Sequence, residues 1–298
     1  MAGSRSRYGR GVFDSAQVAA YLKRVGITAP RRPTLHALRR IHRAHVGAIP
    51  YENLDIQLGR PIELGADALH AKLVEGGRGG YCYEQNGTLA HALEGLGFDV
   101  RRVLGGVAVE TEGDGNWWNH MPLVVRFANG EEYLADAGIG TGFRDPLPIR
   151  DGSYRVGAFN FGIWSLGDEA WRCSIDPRVT NLTFDFTLAA RRPEEFAERC
   201  RELSTAPDSP FVKTLTVQGP RENDMWVLRA RTLTVFDPKL PEGKAVRVVE
   251  DAAAFAELLR GPFRLTLDKG ELEALWAKAV EQHERKLAED RATAANAV

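Results

Sequence analysis

At Asp99 the chain changes period. Before it, apolar residues recur every three or four positions; after it come short β-branched or aromatic runs separated by turn residues. "DSAQVAAYLKRVG" sets Val18, Leu22 and Val25 on one face, with Asp14 or Ser15 as cap and Gly26 as stop. "PTLHALRRIHRAHVGAIP" starts from a Thr34 cap and ends before Pro50. "ADALHAKLVEGG" predicts a third helix, and a fourth runs from near Cys82 to Leu96. Strands follow in "VRRVLGGVAVE", "HMPLVVRFA", "EEYLADAG", "GAFNFGIWSL", "AWRCSI" and "NLTFDFTLAA", the pattern of an antiparallel sheet or barrel through about residue 190. "PEEFAERCRELST" is helical, "SPFVKTLTVQ" and "DMWVLRARTLTVFD" resume strands, and "DAAAFAELLRG" and "KGELEALWAKAVEQHERKLAED" close the chain as helices. Helices, then strands, then a mixed tail give an α+β chain with no internal repeat. "MAGSRSRYGRG" has no hydrophobic stretch behind it, so it reads as a frayed tail rather than a secretion signal. "RATAANAV" reads as disordered.

A formal net charge of −1 gives no pull towards nucleic acid or an acidic membrane. No apolar run reaches membrane-spanning length. Cys82, Cys173 and Cys200 are too few and too scattered for a disulfide framework, and no CxxC occurs. A cytoplasmic, reducing setting follows, with no metal and free thiols. Cys173 and Cys200 read as structural.

Cys82 has an unusual approach. "GGRGGYCYEQN" places it after four glycines, between two tyrosines, at the predicted start of a helix. There the unpaired N–H groups and the helix dipole favour an anion, the form in which cysteine attacks. The plainer alternative is a small buried hydrophobe. A nucleophile needs a base, and the base an orienting acceptor. His36, His42, His45, His70, His91 and His283 fall in predicted helices and read as surface or satisfied core residues. "HRAH" lacks the spacing and glutamate of a zinc-protease helix. His120 opens a strand, and Asp136 is a lone carboxylate in an apolar strand, costly to bury without a partner. Register decides whether they meet. A two-residue turn at Asn129-Gly130 would set Asp136 opposite Leu123, on the other face from His120. A three-residue loop, Ala128-Asn129-Gly130, sets it opposite Pro122 and makes His120 its same-face diagonal neighbour. That loop wants Gly130 at positive φ.

"RGGYCYEQN", "IPYENLD", "HMPLVV" and "YLADAGIG" together resemble arylamine N-acetyltransferases, a similarity running from about Val18 to the final helix. The resemblance implies a helical bundle over 1–98 carrying the nucleophile, a β-barrel-like domain over 99–208 carrying His and Asp, and a C-terminal α/β lid over 209–298, around a cysteine-protease-like core. It implies a triad of Cys82, His120 and Asp136. It implies ping-pong transfer from acetyl-CoA, through an acetyl-cysteine thioester, to an aromatic amine, hydrazine or hydroxylamine. Acetyl-CoA is then a co-substrate, and no cofactor is tightly bound. Cys82 would attack as an ion pair with His120, and backbone N–H groups beside it are candidates for the oxyanion hole. Arg78 and Glu52 match charged motif positions and are expected to pair, holding the cysteine loop. Tyr51, Phe211 and the segment Gly138-Ile139-Gly140 match acceptor-pocket positions; core packing is the alternative for Tyr51 and Phe211. Ile139 stands where the family usually has phenylalanine, which removes a stacking surface. Arg144, Lys213 and Arg221 are candidates for the phosphates of CoA, with surface roles as the alternative; Trp117 and Trp118 either border the cleft or pack the hairpin. The rival readings are an amide synthase closing macrolactams from a carrier-bound polyketide chain, a cysteine protease or transglutaminase, and a binding module. The sequence does not give the oligomeric state.

Overall fold

The computed structural model describes residues 11–296; the basic start of the chain lies outside them. Asp14 caps the helix Ser15–Val25 by accepting from Ala16 N–H and Gln17 N–H, and Gly26 ends it at φ +75°. Thr34 caps Leu35–Ala48 through Ala37 N–H. The third helical segment splits into Ala66–Leu69 and a wider π-turn, His70–Glu75. The fourth is Cys82–Gly95. Leu38, Ile41, Leu73, Leu89 and Leu93 interlock between these helices. The same core takes in Leu123, Val125, Tyr133 and Ala135, so one face of the first strands packs directly on the helices.

Those strands belong to a nine-stranded antiparallel, barrel-like sheet. In spatial order its path is Leu147–Pro148, Glu132–Leu134, Leu123–Arg126, Asp99–Val107, Thr183–Ala190, Ala170–Ser174, Phe159–Gly167 and Gly152–Val156. Trp117–His120 also pairs with Asp99–Val107. Phe143, Phe161, Ile163, Phe184 and Phe186 fill its interior. A second sheet orders Tyr51–Glu52, Thr216–Pro220, Met225–Arg229, Thr232–Phe236 and Lys244–Val248. Helices Ala252–Arg260 and Lys269–Asn296 cover one of its faces, with Phe255, Leu259 and Leu275 against Val217, Leu228 and Leu233. The chain is thus α+β: a helical beginning, an antiparallel barrel-like middle and a mixed α/β end.

The structure departs from the sequence pattern in several places. "SPFVK" is not strand: Pro210–Lys213 is a helical turn, capped where Ser209 Oγ accepts from Phe211 N–H at 3.2 Å. Val109–Glu112 turns helical at the end of its predicted strand. Lys244–Val248 is an exposed edge strand lacking the apolar alternation that would announce it. The last helix runs on through "RATAAN" to Asn296, where disorder was expected.

The hairpin that carries Asp136 follows the three-residue register. Val124 faces Leu134, Val125 faces Tyr133 and Arg126 faces Glu132. Phe127 N–H donates to Glu131 O, which leaves Ala128, Asn129 and Gly130 as the loop, with Gly130 at φ +84°. A Cβ on Gly130 would meet nothing within 4 Å, so the position constrains torsion, not space. Gly130→Val should therefore lower stability by about 1–2 kcal/mol through the left-handed backbone alone, with Gly130→Asn affected much less. Chemical denaturation of the two variants checks this; equal stability of wild type and Gly130→Val contradicts it.

Candidate active site

Cys82 is the first residue of its helix and is 3% exposed. Its sulfur lies 3.7 Å from the carbonyl oxygen of Asn119. The approach is built by close contact. A Cβ on Gly79 would come within 2.1 Å of Pro50 O, and one on Gly80 within 2.6 Å of the Glu84 side chain. Tyr81 N–H donates to Glu84 Oε2 at 3.2 Å, closing the helix start.

His120 is fully buried, and its Nε2 lies 2.7 Å from Asp136 Oδ2. Asp136 is not in a strand, as the sequence suggested. The strand ends at Leu134, one further ladder bond joins Ala135 N–H to Leu123 O, and Asp136 opens a loop. That loop folds back on the carboxylate: Oδ1 accepts from Gly138 N–H at 2.8 Å and Ile139 N–H at 3.2 Å. Burial alone would raise the Asp136 carboxyl; His120, Asn86 and the Gly138 N–H outweigh it and hold the group below its ordinary value. An ionised carboxylate only accepts, so Nε2 must carry the proton. Nδ1 is then the basic nitrogen, and it has no hydrogen-bond partner among the described residues.

Asn86, four residues after Cys82 and on the same helix face, ties these parts together. Its amide donates to Met121 O at 2.9 Å and accepts from Ala137 N–H at 2.8 Å, gripping the chain next to both His120 and Asp136. Gly138 lies against the backbone of Cys82; a Cβ there would come within 2.9 Å of Cys82 O and 3.0 Å of Cys82 Cα. A bulge aims His120. Gly105 pairs with His120 and Gly106 with Trp117, so Trp118 and Asn119 bulge from the ladder. Trp118 sits at φ +71°, a strained torsion for a bulky residue, and its carbonyl accepts from Tyr83 O–H at 2.5 Å. Asn119 Oδ1 accepts from Val107 N–H at 2.7 Å, fixing the bulge.

Burial pushes the Cys82 thiol well above its ordinary value; the neighbouring Cys200 and Asp136 add to this, and Tyr83 N–H opposes it. Losing a proton to water is therefore unfavourable for this sulfur. Handing it to His120 leaves the net charge of the group unchanged.

Arg78 and Glu52 meet inside the protein, Nη2 to Oε1 at 3.3 Å. Glu52 also accepts from Gly79 N–H at 3.1 Å, which anchors the cysteine loop. The pair belongs to a larger network that the sequence reading missed. Arg78 reaches Asp55 at 3.1 Å and Glu271 of the last helix at 3.4 Å; Lys72 reaches Asp55 at 2.9 Å and Glu84 at 2.6 Å. Spacing along the chain gives no sign of Glu271; Asn86 could have been found from its i,i+4 relation to Cys82.

Tyr51 and Phe211 both pack in the cluster around Cys82, together with Trp118, Met121 and Phe196. Phe211 meets Tyr81 edge-on at 5.3 Å. A Cβ on Gly140 would strike Gln218 and Tyr51. Ile139 is placed differently: its side chain is 8% exposed and packs in the barrel interior, while its N–H serves Asp136. Arg144 and Arg221 line one cavity, and Lys213 lies apart from it on the Pro210–Lys213 turn. Among the other histidines, His42 and His45 are fully buried. His45 is bonded to Tyr21 and Gln85, and burial pushes it down to about 3. Among the described residues no cluster of His, Cys, Asp and Glu has the arrangement of a metal site. No described helix is long and apolar enough to cross a membrane.

The N-acetyltransferase family model matches residues 34–272. The chain belongs to the arylamine N-acetyltransferase family. It is 35% identical to an arylamine N-acetyltransferase of Mycolicibacterium smegmatis, over 73% of this chain and 82% of that one. It is 32% identical to the chicken pineal gland isozyme, covering 80% and 90%. The arylamine N-acetyltransferase of Mycobacterium marinum, solved in complex with CoA, superposes with a TM-score of 0.78 at 30% identity, covering 88% of this chain and 99% of that one. The enzyme from Mycobacterium abscessus gives 0.80 at 28% identity, covering 94% and 99%.

Asp136 supplies a test of this geometry. Its folded carboxyl lies below the ordinary value, to which it returns on unfolding. Its contribution to stability is complete above about pH 4 and is lost as pH falls through the lower folded value. The thermal midpoint of wild type should fall more steeply below about pH 4 than that of Asp136→Asn; parallel curves contradict the assignment.

Proposed function

We propose that this protein transfers an acetyl group from acetyl-CoA to arylamines, arylhydrazines or arylhydroxylamines by a ping-pong route through Cys82. The observation that carries this reading is the His120–Asp136 bond through Nε2, which leaves Nδ1 as a buried base on the residue after Asn119, whose carbonyl oxygen lies 3.7 Å from the Cys82 sulfur. In the first half-reaction His120 Nδ1 takes the Cys82 proton, and the sulfur attacks the acetyl carbonyl carbon of acetyl-CoA. The developing oxyanion meets N–H groups at the helix start, among which Tyr83 N–H already faces the sulfur. The carbon–sulfur bond to CoA breaks, the imidazolium returns its proton to the leaving thiolate, and acetyl-Cys82 remains. In the second half-reaction the amine nitrogen attacks the thioester and gives its proton to Nδ1. The electron pair of the breaking bond returns to Cys82, and the amide departs.

Asp136 holds the imidazole in one tautomer and stabilises its cation. Arg78 and Glu52 act as site-organising residues, keeping the cysteine loop against the strand that carries Tyr51. Tyr51, Phe211 and Trp118 offer the aromatic surface for a flat acceptor. Gly138 and Gly140 allow close approach, and Ile139 acts through its N–H and barrel packing rather than by stacking on the acceptor. CoA enters as a co-substrate. Three unpaired, buried cysteines suit a reducing cytoplasm. The relatives above carry the arylamine N-acetyltransferase name over most of their length, so macrolactam closure on a carrier protein is not favoured.

Intact-mass spectrometry after incubation with acetyl-CoA tests the route. One acetyl group should appear on Cys82 and be removed by an arylamine or hydrazine, and Cys82→Ala should take up none. Acetylated product formed at the wild-type rate by Cys82→Ala would overturn the reading.

A further inference from the structure

A cavity of about 400 Å³ opens where three parts of the chain meet. Gly47 and Pro50 come from the end of the second helix, Arg144 from the loop after Asp136, and Arg221 and Arg264 from the segments that follow the strand Thr216–Pro220 and the helix Ala252–Arg260. Three arginines thus line one space. Among the described residues none of the three has a carboxylate within salt-bridge distance, although Glu222 also lines the cavity. Arg144 Nε is buried without a hydrogen-bond partner among the described residues. Arg221 is fixed in place, stacked 4.0 Å from the Trp226 ring centroid and donating to Pro262 O at 3.1 Å. Arg264 stands at φ +55°, a left-handed torsion that glycine would adopt without strain. Burial lowers the Arg221 guanidinium; the Asp224 carboxylate opposes this, and the nearby Arg264 charge adds to it. An anion between them would relieve that repulsion.

The cavity touches the cysteine loop at Pro50, whose carbonyl oxygen lies against Gly79. None of its lining residues belongs to the cluster around Cys82. Gln218 points towards Gly140 and Tyr51, whereas Val217 packs under the terminal helices, and Phe263 of the cavity wall belongs to that helix-side core. Its size falls in the range of small-molecule sites and exceeds what a bare ion needs. Paired, planar guanidinium donors select phosphate oxygens.

We propose that this cavity is a second ligand site, which takes a small molecule bearing a phosphate or pyrophosphate group and is distinct from the acetyl-donor site. Titration calorimetry of the full chain with pyrophosphate, in phosphate-free buffer of low ionic strength, tests it. One saturable site is expected. Arg221→Gln and Arg264→Gly should each weaken it by about tenfold, the loss of one charge-assisted contact. Arg264→Gly also relieves the left-handed torsion, so its thermal midpoint without ligand should not fall; weaker binding then cannot be ascribed to unfolding. CoA and 3′,5′-adenosine bisphosphate, the donor's nucleotide end, should leave pyrophosphate bound. Absence of saturable binding, unchanged affinity in both variants, or displacement by either nucleotide would overturn the proposal.

Discussion

A carboxylate with almost no exposure to water must be held by donors, and Asp136 is held by three: His120 Nε2, Gly138 N–H and Ile139 N–H. Each has a consequence outside the bond. The histidine bond fixes Nδ1 as the nitrogen left to act as a base. The two N–H bonds force the chain to fold back on itself straight after Asp136, which presses Gly138 onto the backbone of Cys82. Removing one partner of such a buried ionic group typically costs about 3–5 kcal/mol. The surrounding packing must therefore supply the rigidity that keeps all three bonds made together.

That rigidity comes from elements far apart in sequence. Asn86 clamps the segments beside His120 and Asp136 to the cysteine helix. Behind the cysteine loop, Arg78 joins Glu52, Asp55 and Glu271, so the last helix of the chain is tied to the loop before Cys82. Buried ion pairs are a poor source of net stability, but they fix geometry wherever leaving one partner alone is costly. Trp118 shows the converse: its left-handed torsion costs about 1–2 kcal/mol, and the Tyr83 hydroxyl and the packing of its ring on Phe196 hold it there.

What could be read from the sequence was local. Caps at Asp14 and Thr34 and the stop at Gly26 follow from side-chain and backbone chemistry within a few residues, and the structure has them. The loop Ala128-Asn129-Gly130 followed from demanding that His120 and Asp136 share a face. What stayed hidden depends on contacts across the fold. The bulge at Trp118-Asn119 needs the Asn119 amide bonded to Val107, twelve residues away. Ile139 matches an acceptor position by motif, yet its side chain turns into the barrel because its N–H is committed to Asp136. The strand Lys244–Val248 is exposed along its length and so lacks the apolar period by which strands are recognised.

The central claim is that His120, oriented by Asp136, makes a buried thiol into a nucleophile. The most direct measurement is the rate at which iodoacetamide alkylates Cys82 as pH is varied, in wild type and in His120→Gln. The account predicts that wild-type Cys82 reacts at neutral pH. In the variant, reactivity should move into the alkaline range, where burial alone places the thiol. Two coincident profiles, both rising only at alkaline pH, would contradict it.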